Sequence, residues 1–191
     1  VLDSRMLTTD CMIGFAIPLN QEEFFDQFNA IDKDFVRNCC SSWAKYKVEI
    51  ADILQEMFSQ FNALGVVTIT HLTLEKLTPC FQQGKKHFTL VAHWYNDTIE
   101  FFDRMVSCDE FVNALPEGFD GIIDLFVCTP EPLAALIKAK RPDCSVRYNE
   151  TKTSITHWIH YYLILFRYIS INNVTYNQAF ENITKELLKQ L

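Results

Sequence analysis

Two rhythms of apolar and polar positions alternate along the chain. Cys11-Met-Ile-Gly-Phe-Ala-Ile17 is a short apolar run stopped by Pro18, and its length and β-branched content predict a buried strand. From Gln21 to Leu64 the rhythm is helical. It is clearest where Ile50, Ile53, Leu54, Met57, Phe61 and Leu64 recur at three- and four-residue steps ahead of Gly65. Val66 to Thr70 reads as a second strand. Thr73 is placed to cap a helix running to about Gln83, which Pro79 is expected to kink or shorten. His87 to His93, centred on Phe88-Thr-Leu-Val-Ala92, is the next strand, and Thr98 to Phe102 reads as extended. Ser107-Cys-Asp-Glu110 has the Ser-x-x-Glu form of a capping box and opens a helix over Phe111 to Leu115, closed by Pro116 and Gly118. Ile122 to Val127 is the most strand-like run. Thr129 follows as an N-cap with Pro130 at the first helical position of Glu131 to Lys140, so the strand is expected to run straight into the helix at Cys128. A strand at Ser145 to Tyr148 comes next. Then follow a helical stripe through Ile155, Trp158, Ile159, Tyr162, Leu163 and Phe166, and a last helix over Tyr176 to Leu188.

Strands alternating with helices predict an α/β fold, a three-layer sandwich with a mostly parallel central sheet and helices on both faces. In such sheets, ligands and chemistry gather at the carboxyl ends of the strands. His93 and Cys128 each stand at one predicted strand end.

Composition narrows the picture further. A length of 191 residues, about half of them apolar, suits a single domain spanning 1–191, with room for this to be part of a longer chain. The formal net charge is −7 and basic residues occur only in short groups such as Lys85-Lys86, so nucleic acid is not an expected partner. No run of roughly 18 apolar residues could span a bilayer, so no membrane partner is expected either, and the polar start is unlike a signal peptide. The seven cysteines include no C-x-x-C pair and are odd in number. That composition argues for a reducing, cytoplasmic setting without structural zinc. His157 and His160 lie three apart on one predicted helix, but no third ligand accompanies them, and they read as flanks of the aromatic stripe.

A cysteine ahead of a helix N-terminus has a lowered thiol pKa, because exposed amides stabilise the thiolate that attacks a carbonyl. A neighbouring imidazole can then carry the proton to a leaving amine. Cys128 and His93 fit these two roles if their strands are adjacent and parallel. Asp124 sits four residues before Cys128, on the same strand face, and could select a basic side chain in a substrate pocket. The alternative for Asp124 is an acidic strand residue paired with a buried Lys, Arg or hydroxyl.

From Gly65 to Ala179 the order of elements resembles that of the CHAT proteases and, more distantly, the caspases, legumains, gingipains and separases. These share a strand ending in His, here Phe88-Thr-Leu-Val-Ala-His93, and a later strand ending in Cys, here Ile122-Ile-Asp-Leu-Phe-Val-Cys128. A short extended segment and a small helix between them are similar to Ile99-Glu-Phe-Phe-Asp103 and Ser107 to Leu115. The aromatic-rich Trp158 to Phe166 and the later Tyr176 to Ala179 are similar to the carboxyl end of the CHAT domain. The resemblance implies a caspase-like cysteine endopeptidase with Cys128 as nucleophile and His93 as general acid and base. It also implies that the backbone amides of Cys128 and Trp94 act as oxyanion donors, Trp94 standing where the family usually has Gly. No metal or organic cofactor is implied, and the expected partner is a protein substrate or a regulatory protein, with room for an additional domain or subunit. The rival is a catalytically degenerate relative that keeps the fold as a protein-interaction module. A more distant rival, an unrelated doubly wound small-molecule-binding domain, lacks a Gly-rich phosphate loop after any predicted strand.

Overall fold

Short β-branched and aromatic runs, each too short for a helix, pair into one sheet in a computed structural model that describes residues 6–30, 42–95, 97–149 and 154–188. The strands are β1 (Cys11–Phe15), β2 (Val67–Ile69), β3 (His87–Val91), β7 (Ile122–Phe126) and β8 (Ser145–Tyr148), all parallel in the order β2-β1-β3-β7-β8. Between β3 and β7 the chain forms a separate antiparallel sheet of β4 (His93–Tyr95), β5 (Thr98–Glu100) and β6 (Met105–Ser107). Strand order reverses direction at β1 and β3, so a crevice is expected beyond their carboxyl ends.

The helices are α1 (Gln21–Ala30), α2 (Trp43–Tyr46), α3 (Asp52–Ala63), α4 (Leu74–Gln82), α5 (Cys108–Ala114), α6 (Glu131–Lys140), α7 (Ile155–Asn172) and α8 (Tyr176–Leu188). The helical rhythm expected across 31–41 lies outside the described residues. α2 passes into α3 through a π-helical turn at Lys47–Ala51. Thr73 caps α4 by accepting from the Lys76 amide, and Pro79 does not shorten the helix, which continues to Gln82. The capping box of Ser107 and Glu110 forms in both halves and starts α5 three residues earlier than the apolar run suggests.

Successive strand residues point to opposite faces, and each face carries its own core. On one side Met12, Phe88, Leu90, Ile123 and Leu125 pack against Leu77 and Phe81 of α4, Phe111 and Val112 of α5, and Leu133 and Ile137 of α6. On the other, Cys11, Ile13, Phe15 and Ile122 pack against Leu54 and Phe61 of α3, Ile159 and Phe166 of α7, and Ala179 and Ile183 of α8. Each fully buried Phe, Leu or Ile contributes roughly 1.5–3 kcal/mol. The arrangement is a five-stranded parallel sheet with helices packed on both faces, as the alternation of elements predicts. Gly121 sets β7 tightly against β3: a Cβ there would lie 2.2 Å from the Lys86 carbonyl oxygen, to which the Ile122 amide donates at 2.8 Å.

Candidate functional site

β3 and β7 are neighbours and parallel, with Val91 opposite Phe126 as the last paired residues. The Ala92 amide still donates to the Phe126 carbonyl at 3.3 Å, and beyond that point the two chains separate. His93 and Cys128 each follow two residues after this last pair, beyond the carboxyl ends of neighbouring strands.

Two local expectations need correction. His93 does not end β3. It opens β4, where it pairs with Glu100 across the antiparallel ladder, because the chain leaves the central sheet after Ala92. Nor does β7 run straight into a helix at Cys128: the strand ends at Phe126 and a turn over 127–130 follows. Thr129 takes a left-handed φ of 49°, which an N-cap does not adopt, and Pro130 occupies the N-cap position of α6 instead. Cys128 therefore stands two residues outside the helix N-terminus.

Among the described cysteines, Cys128 is the exposed one. Burial pushes up the thiols of Cys11, Cys80 and Cys108, and that of Cys144 up to about 12, so these four are disfavoured as thiolates at neutral pH. Cys39 and Cys40 lie outside the described residues. Burial lowers the pKa of His93, which leaves its half-buried imidazole neutral and able to take a proton at pH 7. Opposite it, Glu100 is 4% exposed, and burial pushes its carboxyl up to about 8. Trp94 occupies the middle of β4 opposite Ile99, its side chain packed against the apolar core. β4 is an edge strand, so alternate amides along it point away from β5.

Asp124 lies within β7, in the face that packs on α7 and α8. It is 3% exposed, and its Oδ2 meets His87 Nε2 at 2.7 Å and accepts from the Tyr176 hydroxyl at 2.5 Å. Burial alone would raise its carboxyl, but His87, the Tyr176 hydroxyl and the Arg147 guanidinium together hold it below the usual carboxylate range. Asp124 is thus a buried, paired strand residue: a hydroxyl is among its partners as the alternative expects, and the buried base facing it is His87 in place of a Lys or Arg.

A cavity of about 50 Å³ opens beside Asp124 at the carboxyl ends of β7 and β8, lined among others by Phe126, Arg147, Trp158, Tyr162 and Phe180. Arg147 Nη2 donates to Asn177 Oδ1, and the guanidinium lies over the Tyr176 and Phe180 rings at 4.6 and 4.5 Å. No sequence pattern marks this cavity. Its residues come from two strands and two helices, and beyond the helical period shared by Trp158 and Tyr162 nothing local joins them. His157 and His160 are exposed on α7, with the His160 ring bonded to the Thr156 carbonyl. Among the described residues, no group of three His, Cys, Asp or Glu is arranged to hold a metal ion, and no helix is long and apolar enough to cross a membrane. No protein family matches the chain, and no curated protein is similar to it.

Proposed function

We propose that the chain is a caspase-like cysteine endopeptidase in which Cys128 is the nucleophile and His93 the general acid and base. The observation that carries this reading is the register of β3 and β7, which leaves His93 and Cys128 the same two residues beyond a matched pair, Val91 and Phe126. The three short antiparallel strands and short helix between β3 and β7 suit the caspase-like order of elements.

In this mechanism the Cys128 Sγ attacks the carbonyl carbon of a peptide bond, and His93 takes the thiol proton and delivers it to the departing amine. The amides of Cys128 and Trp94 hold the oxyanion. Water, deprotonated by His93, then cleaves the thioester and frees the thiol. The substrate is a protein and no cofactor takes part. A cytoplasmic setting goes with the reading, since the nucleophile must stay reduced.

Two observations favour the second reading, a degenerate protein-interaction module. His93 is fixed in a strand ladder opposite a buried carboxyl, and Asp124 is engaged by His87.

A mixed peptide library incubated with the protein and read by mass spectrometry tests the choice. Cleavage products should vanish with Cys128→Ala, which removes an exposed side chain and leaves the fold intact, and fall at least about a hundredfold with His93→Ala. Cleavage that survives Cys128→Ala sinks the protease reading. No cleavage by the wild type, with iodoacetamide labelling Cys128 no faster than the other cysteines, supports the module.

A further inference from the structure

Glu100 stands in the middle strand of the small antiparallel sheet, directly opposite His93 on β4 and Met105 on β6. Trp94 and Ile99, the next pair along the ladder, both pack on the apolar core. By alternation, His93, Glu100 and Met105 therefore form one row on the other face of this sheet. Directly opposite side chains leave their strands with Cβ atoms about 4.5–5.5 Å apart, so a carboxyl and an imidazole so placed are within reach of one hydrogen bond. The other neighbour in the row, Met105, brings only a thioether. Arg104, the nearest cation in the sequence, donates instead to Glu110 and to the Met105 carbonyl.

A carboxyl buried to this extent costs folding what an apolar residue would not, and no cation among the described residues offsets its burial. Burial pushes it up to about 8, so near neutral pH it keeps its proton, and burial lowers His93, so the ring stays neutral. A carboxylic acid accepts through its carbonyl oxygen without bringing a full negative charge. It can thus orient an imidazole without turning it into a fixed cation. Buried, shifted carboxyls beside a reactive group are a mark of functional sites.

We propose that Glu100 is a positioning residue for His93: its carboxyl accepts the N–H of one ring nitrogen and so leaves the other nitrogen, without a proton, to take the Cys128 thiol proton. The inference rests on the reading of His93 as general acid and base. Glu100 itself touches no substrate. It fixes which tautomer of the ring meets the thiol, as the hydrogen bond at one imidazole nitrogen decides the state of the other.

The test is Glu100→Met, which keeps the side-chain length, removes the acceptor and places an apolar group in a buried position, so the fold should hold and the melting temperature should not drop. The ring nitrogens of His93 are followed by NMR at neutral pH and assigned by their loss in His93→Gln. They should report a single tautomer in the wild type and a mixture in Glu100→Met. Met105→Leu, on the other side of Glu100 in the row, should keep the wild-type tautomer. On a cleaved peptide, kcat should fall at least about tenfold in Glu100→Met with KM moved less than about twofold. A wild type that cleaves no peptide, yet shows the change of tautomer in Glu100→Met, removes the protease reading and supports the positioning role. The same tautomer in the wild type and Glu100→Met overturns the proposal, as does an unchanged kcat.

Discussion

On β3 and β7, Phe88, Leu90, Ile123 and Leu125 enter a layer that is apolar throughout, whereas their neighbours His87, Thr89 and Asp124 enter the opposite layer between aromatic rings. The same strands thus build one face by burial and the other by burial plus pairing. Apolar packing is nearly indifferent to partner identity as long as volume is kept, so the first layer specifies little beyond stability. The second layer is conditional: each polar group is tolerable only while its partner is present. The cavity opens in the conditional layer.

The sharpest way to break the contrast is Asp124→Ala, which leaves His87 buried without its partner and should cost about 3–5 kcal/mol in a urea unfolding series. Replacing the group together, as His87→Leu, Asp124→Leu and Tyr176→Phe, should regain most of that loss. A single variant no worse than a small apolar trim would show that the pair does not act as one. The wild type should also lose this contribution in acid. Asp124 is held below its ordinary range, so its stabilisation is present above an unfolded pKa of about 3.9 and fades as pH falls through the lower folded value.

Glu100 sharpens the comparison with the opposite sign. Its folded carboxyl is raised to about 8 by burial from an ordinary value of 4.5, so the folded state holds a proton that the unfolded state releases, and stability falls as pH rises between those values. Glu100→Gln should remove that slope and exceed the wild type by roughly 1–3 kcal/mol at pH 8, measured as melting temperature against pH. The smallest change belongs to the apolar layer: Ile123→Val should cost about 0.5–1.5 kcal/mol, equally at pH 5 and pH 8. A pH dependence there would mean that the two layers are not independent.

Most of the element order can be read from the residues, because each strand or helix carries its own period and punctuation. The capping box at Ser107, the strand at Ser145 and the last helix from Tyr176 are set by local chemistry, and they form where that chemistry puts them. The point where the chain leaves the sheet ahead of His93 is not legible, because the apolar run from Phe88 continues through Ala92 and nothing local marks where hydrogen bonding to β7 stops. Thr129 suggested a cap by residue type, but its left-handed backbone moves the helix start to Pro130. The adjacency of β3 and β7 follows from topology. The cavity follows only from tertiary packing, since Arg147, Trp158 and Phe180 meet across distant parts of the chain.

The π-helical turn at Lys47–Ala51 changes the phase of one long helix partway along its length. A turn closed by i→i+5 bonds holds one residue more than an α-turn, and each residue advances an α-helix by about 100°. Before the turn, Trp43 and Tyr46 gather around Phe24 of α1; after it, Leu54, Met57 and Phe61 lie on the sheet. Ile50, at the turn itself, touches both groups. Wound as an ordinary α-helix, the same five residues would swing the Trp43 end by about that angle, whereas deleting one of them would keep both ends in place, so one inserted residue works as a coupling between two separately packed bodies.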